Sequence, residues 1–161
     1  LLFATGMRIS ELCSLTTEQI NFNDYIIKIY GKGSKERLIQ ICNKNVQNLL
    51  DEYRREFDFE LKNYNYLFIN RLCNRLSEQS VRNMINTYSK NAGVSIHITP
   101  HMFRHSFATL LLEEDVDIRY IQQMLGHSSI TTTQIYTHTS INKQKNILSA
   151  KHPRNKLEIG I

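Results

Sequence analysis

The chain lacks the features of secreted, metal-stabilised and membrane-spanning proteins. Its 161 residues include only three cysteines, and the odd, widely spaced set fits neither a disulfide framework nor a metal-ligand spacing. These cysteines are Cys13, Cys42 and Cys73. No apolar run approaches the roughly 20 residues that span a bilayer, and no basic-flanked signal peptide opens the chain. Unpaired thiols fit a reducing compartment, so we expect a cytoplasmic protein with no membrane partner.

An initiator methionine is also absent, and the chain opens directly in an apolar stretch. We therefore expect a fragment of a longer protein, with an N-terminal domain outside these residues. A chain of 161 residues fits one domain. A domain of this size buries roughly 68–70% of its unfolded surface and needs no disulfide or metal to hold a core. We interpret residues 1–161 as one domain that ends in a helix and tail over residues 141–161.

Positive charge is in excess, but it is unevenly placed. The net charge is +5, and residues 141–161 contribute five basic residues and one acid. Residues 1–140 therefore carry a net charge of only +1. A basic tail is usually a solvated terminus or a weak nucleic-acid arm, so net charge supports DNA binding only weakly.

The pattern of apolar and turn residues predicts a mainly α domain (α+β) with a small antiparallel sheet. Gly6 ends a first helix at residues 1–5. Two runs rich in β-branched and aromatic residues, 25–30 and 37–41, flank a glycine-rich turn and predict a β-hairpin. Further elements are predicted as a helix over Asn43–Phe57, a short strand at Tyr66–Ile69, a helix from Ser77 or Ser80 to about Ala92, a helix from Pro100, a helix from Asp115 or Asp117 to Gly126, and a helix over Asn142–Ala150.

Helical spacing assigns an inward face to two of these helices. The residues expected to face the core are Val46, Leu49, Leu50 and Tyr53 on the first, and Ile118, Ile121 and Leu125 on the second. The outer face of the helix over residues 43–57 is acidic, and a polyanion would avoid it. We therefore expect this face to point away from DNA.

Cationic and nucleophilic side chains are grouped at four places. His101 and Arg104 lie three residues apart on one helix, so both can reach one anion. His127 follows the predicted helix end at Gly126, and Tyr136 comes nine residues later. Arg8 follows the turn at Gly6, and Lys32 lies at the tip of the hairpin.

Four segments at these places carry a resemblance to a known family. They read ATGMRISEL (4–12), GKGSKER (31–37), PHMFRHSFAT (100–109) and LGHSSITTTQIY (125–136). In this order they resemble the tyrosine recombinases, which include phage integrases, transposon integrases and Xer resolvases. The resemblance covers residues 1 to about 150. It implies a helical catalytic domain with a small sheet, which clamps DNA together with a separate N-terminal domain.

The resemblance also implies an activity. The protein should be a site-specific DNA recombinase or integrase that cleaves and rejoins strands through a 3′-phosphotyrosyl intermediate, with four protomers on two duplexes. An isolated domain is expected to be a monomer. We expect a bacterial or phage protein of the cytoplasm, associated with the nucleoid.

The predicted catalytic residues suit this chemistry. Arg8 and Arg104 would grip the non-bridging phosphate oxygens, because a guanidinium donates two parallel hydrogen bonds and stays charged. Tyr136 would be the nucleophile, and a phenol with a pKa of about 10 needs help with its proton. The family pattern gives that role to His101. It implies that His127 donates to a non-bridging oxygen and that Lys32, with Lys35 as the alternative, protonates the leaving 5′-oxygen.

No cofactor or metal is expected. The Lys32 loop fails as a P-loop, since Ile26 stands where the first glycine belongs and Gly33 where Ser or Thr is needed. His101 and His105 are spaced for a metal, but Met102 replaces the glutamate of a zinc protease motif.

The sequence leaves several alternatives open. A type IB topoisomerase uses the same chemistry without strand exchange. A DNA-binding module would bind without a covalent product, and a metal-dependent nuclease would need a divalent ion. The C-terminal helix could dock on a neighbouring protomer or pack on its own domain.

Overall fold

A computed structural model describes residues 1–31, 36–126 and 146–151. In chain order the elements are α1 (Leu2–Thr5), α2 (Ile9–Ser14), a 3₁₀ turn (Thr17–Gln19), β1 (Ile20–Asn21), β2 (Ile26–Tyr30), β3 (Glu36–Gln40), α3 (Lys44–Glu56), α4 (Asp58–Asn63), α5 (Glu78–Asn91), α6 (Pro100–Glu113) and α7 (Ile118–Leu125). Residues 146–151 are helical as well. The predicted fold class, mainly α with a small antiparallel sheet, is confirmed.

The sheet has the order β1-β2-β3, and both of its pairings are antiparallel. The predicted hairpin is formed by β2 and β3, with Ile27 opposite Ile39 and Tyr30 opposite Glu36. Ile27, Ile29 and Ile39 are buried, as expected where alternate side chains of a strand face the core. Tyr30 ends β2 and Glu36 begins β3, so these two residues flank the chain segment that includes Lys32.

The short strand predicted at residues 66–69 does not join the sheet. Tyr66 and Ile69 form only isolated bridges, to Thr16 and Arg75. The backbone N–H of Leu67 donates to the carbonyl of Leu15 at the end of α2. This segment is therefore bonded to the residues that follow α2 and not to the sheet. The prediction of a strand was wrong.

The helix starts follow from side-chain caps, which satisfy backbone N–H groups that have no partner in the first turn. Asn43, Ser77, Thr99 and Asp117 each accept such an N–H, so Ser77 and Asp117 are the caps rather than Ser80 and Asp115. Pro100 stands in the first turn of α6. Gly126 ends α7 in the left-handed conformation, at φ 65°.

Apolar side chains gather in two clusters. The larger one lies between the sheet and α1, α2 and α3, and the smaller joins α6 and α7. Leu148 is fully buried in the smaller cluster, and Ile147 packs against it. Residues 146–151 therefore pack against the same chain.

Two predicted core residues are exposed instead. Leu49 is 55% exposed, because the buried face of α3 is made by Val46, Gln47 and Leu50. Gln47 occupies a core position because its amide donates to the carbonyl of Ile41 at 2.7 Å. Ile118 is 53% exposed, since it is the first residue of α7 and lies at the margin of the cluster.

The acidic stretch after α3 forms the short helix α4. Asp58 and Glu60 lie in its first turn and Lys62 in its last, the arrangement that complements a helix dipole. Lys62 also pairs with Asp58 at 2.6 Å.

Candidate active site

Arg8 is held at the start of α2 by the turn that ends α1. Gly6 adopts the left-handed conformation at φ 61°, which breaks the helix after Thr5. Arg8 is then the N-cap of α2, and its backbone N–H donates to Glu11 Oε2 at 2.7 Å. Its guanidinium Nη1 donates to Glu11 Oε1 at 3.0 Å. The Arg8 side chain remains 42% exposed, so it is anchored and still reaches the surface.

Arg104 projects from α6 into the interior and is only 7% exposed. Its Nη1 donates to the carbonyl of Gly6 at 2.8 Å, and its Nη2 donates to the carbonyl of Leu125 at 2.6 Å. A guanidinium has five N–H donors, so these two bonds leave donors for a further acceptor. The side chain thus joins the turn before Arg8 to the end of α7.

The C-terminal end of α7 is the meeting point of the site. Carbonyls in the last turn of a helix lack intrahelical partners and carry partial negative charge, which attracts cations. Here three successive carbonyl oxygens each accept from a different arginine: Met124 from Arg37 at 2.9 Å, Leu125 from Arg104 at 2.6 Å, and Gly126 from Arg8 at 3.5 Å. The next residue in the chain is His127.

Arg37 and Glu11 are members of this cluster that the sequence alone did not identify. Arg37 donates to both oxygens of Glu11, from Nη1 to Oε1 at 2.9 Å and from Nη2 to Oε2 at 2.8 Å. Both side chains are less than a tenth exposed. Glu11 carried a usable signal, since a glutamate three residues after a helix N-cap commonly reaches back to the cap N–H. Arg37 ends the GKGSKER segment, but its partners are far away in sequence.

The charges of the cluster do not balance. Among the described residues, the cluster holds three guanidinium groups and one carboxylate, that of Glu11, which bonds Arg8 and Arg37. Burial and the nearby Arg8 charge, with a smaller effect of Arg37, lower the pKa of Arg104 to about 10, while Glu11 opposes the shift. Arg104 is therefore still charged near neutral pH. An anion placed here would relieve the repulsion between the arginines.

Glu11 is held in its ionised form. Burial alone would raise its pKa, but the hydrogen bonds from Arg37 and from the Arg8 backbone, together with the Arg37 charge, lower it below the ordinary value. The carboxylate is thus a fixed acceptor rather than a titrating group near neutral pH.

The remaining predicted site residues are less fully described. His101 lies in the first turn of α6, one turn before Arg104, and is exposed. His105 is exposed on the same helix. Lys32, Lys35, His127 and Tyr136 lie outside the described residues. The structure therefore brings Arg8 and Arg104 together at the end of α7, with His101 on the helix that carries Arg104.

The described residues contain neither a metal-binding cluster nor a membrane-spanning helix. No three His, Cys, Asp or Glu side chains within residues 1–31, 36–126 and 146–151 are grouped to hold a metal ion. None of the helices in that part of the chain is long and apolar enough to cross a membrane.

Comparison with known proteins defines the family. Residues 1–143 match the phage integrase family, so the chain belongs to it. A protein of Agathobacter rectalis named tyrosine recombinase is 59% identical over 154 residues, which are 96% of this chain and 50% of the relative. The predicted membership of the tyrosine recombinases is confirmed. The chain spans about half the length of the curated relatives it matches.

Solved structures agree with this assignment. The crystal structure of XerA recombinase aligns with a TM-score of 0.71 at 31% identity, over 98% of this chain and 56% of that one. XerH site-specific recombinase bound to its difH substrate, in a pre-cleavage complex, aligns with a TM-score of 0.69 at 31% identity. That alignment covers 88% of this chain and 43% of the XerH chain.

Proposed function

We propose that this chain is the catalytic part of a site-specific DNA recombinase that cleaves and rejoins strands through Tyr136. The observation that carries the proposal is the meeting of Arg8 and Arg104 at the end of α7, directly before His127. These arginines come from α2 and α6, and the carbonyls of Leu125 and Gly126 accept from them. A cationic site is thereby built beside a chain segment that leads to the nucleophile.

The excess of positive charge suits a phosphodiester. The scissile phosphate carries negative charge that grows on its non-bridging oxygens as the phosphorus is attacked. Preorganised hydrogen-bond donors aimed at such oxygens supply a large part of an enzyme's rate enhancement, and loss of one donor typically lowers kcat by roughly 10²–10³-fold. Arg104 is fixed by two carbonyls and Arg8 by Glu11, so neither needs to reorganise when the phosphate arrives.

The proposed reaction has two balanced steps. In the first, the Tyr136 oxygen bonds to phosphorus and the bond to the 5′-oxygen breaks; His101 accepts the phenol proton and Lys32 protonates the leaving oxygen. In the second, the 5′-hydroxyl of a partner strand attacks phosphorus and gives its proton to Lys32, while the bond from phosphorus to the Tyr136 oxygen breaks and His101 returns a proton to that oxygen. The number of phosphodiester bonds is unchanged, so the cycle needs no external energy source. His127 donates to a non-bridging oxygen in both steps.

Duplex DNA is the proposed partner. The related XerH was solved with its difH substrate, and this chain shares its fold over most of its length. We further propose that four protomers on two duplexes form the working assembly and that the protein acts on DNA in the cytoplasm, at the nucleoid. The remaining part of the protein would complete the DNA clamp.

A recombination assay tests the proposal against its rivals. The full-length protein would first select its binding site from a pool of random duplexes. A plasmid with two direct copies of that site would then be incubated with the protein in chelator. We expect excision of the intervening segment as a circle.

Each rival function gives a different product in this assay. Relaxation of the plasmid without excision would favour the topoisomerase. Broken ends that appear only when a divalent metal is restored would indicate a nuclease. Binding with neither product would leave a DNA-binding module, and each of these three results would contradict the proposal.

A further inference from the structure

Arg37 connects three segments of the site without belonging to the predicted catalytic set. It is the second residue of β3, five residues after Lys32 in the sequence. Its side chain is 9% exposed. Its Nε donates to the carbonyl of Met124, and its two terminal nitrogens donate to Glu11. One guanidinium thus joins the hairpin, α2 and the end of α7.

The bonds of Glu11 show how Arg37 can act on Arg8. Oε1 accepts from Arg37 Nη1 at 2.9 Å and from Arg8 Nη1 at 3.0 Å. Oε2 accepts from Arg37 Nη2 at 2.8 Å and from the Arg8 backbone N–H at 2.7 Å. Each oxygen is therefore shared between the two arginines. The rotation of the carboxylate, and with it the direction of the Arg8 guanidinium, depends on Arg37.

The shape of the site requires a guanidinium at position 37. A planar fork can serve both oxygens of one carboxylate while its Nε serves a carbonyl on another side. A lysine ammonium offers a point charge and cannot match this arrangement. Gly126 leaves the necessary room, because a β-carbon there would lie 3.0 Å from Arg37 Nη1.

We propose that Arg37 is a positioning residue for DNA cleavage: it aims Arg8 through Glu11 and fixes the end of α7 through Met124. In this role Arg37 does not contact the phosphate. The inference rests on the proposed function, because its effect is on the cleavage step.

The test compares Arg37→Gln with the unchanged protein in single-turnover formation of the covalent DNA adduct at saturating DNA. We expect the rate to fall roughly 10- to 100-fold, as for other residues that orient catalytic groups. DNA affinity should change by less than about twofold, because the site would remain net cationic. Arg37→Lys should recover part of the rate. Arg55→Gln, an exposed change on α3, is the matched control and should leave the rate unchanged.

A double-mutant cycle separates positioning from a merely structural role. In an Arg8→Lys background, Arg37→Gln should slow cleavage much less than it slows the unchanged protein, because the group that it aims is already altered. Rate losses that multiply would overturn the proposal. So would a wild-type rate for Arg37→Gln.

The experiment also covers an unfolded Arg37→Gln variant and an unchanged protein that forms no adduct. If Arg37→Gln unfolds, the pair Glu11→Gln with Arg37→Gln removes both buried charges together and is expected to fold. That double variant should also cleave slowly, and a wild-type rate would overturn the proposal. If the unchanged protein forms no adduct, the proposed function itself fails. Normal cleavage in the absence of Arg37 removes only the positioning role.

Discussion

Gly6 lies directly against the aromatic ring of Phe107. A β-carbon at position 6 would stand 2.6 Å from Phe107 Cδ1 and 2.7 Å from Leu125 Cδ2. This contact brings the turn before Arg8 onto α6 and α7, and the Gly6 carbonyl accepts from Arg104 in the same place. The glycine is needed both for its left-handed backbone and for the close approach.

Replacement of Gly6 should therefore lower the free energy of unfolding more than replacement of another left-handed glycine does. In Gly6→Ala, overpacking should lower the free energy of unfolding by roughly 1–3 kcal/mol. The strain of a β-carbon in the left-handed conformation should lower it by about 1–2 kcal/mol more. Gly93→Ala is the control, because Gly93 has φ +68° but a β-carbon added there would meet no atom within 4 Å. It should show only the backbone cost. Denaturant unfolding measures both, and equal losses would show that the contact with Phe107 is unimportant.

The Glu11 carboxylate should make stability depend on acid pH. Its pKa is lowered in the folded state, so its contribution is present above the unfolded value of about 4.3 and is lost as pH falls through the lower folded value. Glu11→Gln should remove this part of the acid dependence. It should also lower the free energy of unfolding at neutral pH by about 3–5 kcal/mol, because Arg37 loses its buried partner.

The acid dependence can be read from unfolding curves at a series of pH values. The exposed Glu18→Gln is the matched control and should follow the unchanged protein. If Glu11→Gln lost stability on acidification as steeply as the unchanged protein, the assignment of this dependence to Glu11 would be wrong.

The arginine cluster should bind a simple anion. Sulfate at ten times its Kd would stabilise the folded protein by about 1.4 kcal/mol. We expect this gain to shrink in Arg8→Gln, which removes the more exposed arginine, and to persist in Arg55→Gln. Thermal unfolding at constant ionic strength, with sulfate against chloride, measures the difference. If sulfate stabilised all three proteins equally, the anion would bind outside the arginine cluster.

The sequence predicted the elements whose signals are local. The hairpin followed from two β-rich runs around glycines. The starts of α5 and α7 were predicted only as pairs of candidate caps, and the structure selects Ser77 and Asp117. The end of α1 at Gly6 and of α7 at Gly126 followed from the preference of glycine for the left-handed conformation. The family motifs predicted Arg8 and Arg104 as site residues, and both arginines donate to carbonyls at the end of α7.

What could not be predicted depends on long-range packing. Arg104 was expected to contact the phosphate, but its burial and its bonds within the protein were not predicted. Those bonds reach Gly6, 98 residues away in the sequence, and Leu125, 21 residues away. Arg37 reaches Met124 across 87 residues, so nothing nearby in the chain marks it. Leu49 and Ile118 have helical spacing that suits a core, and only the position of the neighbouring elements leaves them exposed.

Covalent trapping on DNA tests whether Tyr136 is the nucleophile. The full-length protein would be incubated in chelator with a suicide substrate that carries its selected site and a nick near the cleavage point. Tyr136→Phe would be run beside Tyr88→Phe, the same change at an exposed tyrosine of α5. We predict a DNA-linked protein band for the unchanged protein and for Tyr88→Phe, and none for Tyr136→Phe at equal DNA binding. A band that persists in Tyr136→Phe, or no band from the unchanged protein bound to its site, would show that cleavage does not proceed through a covalent bond to Tyr136.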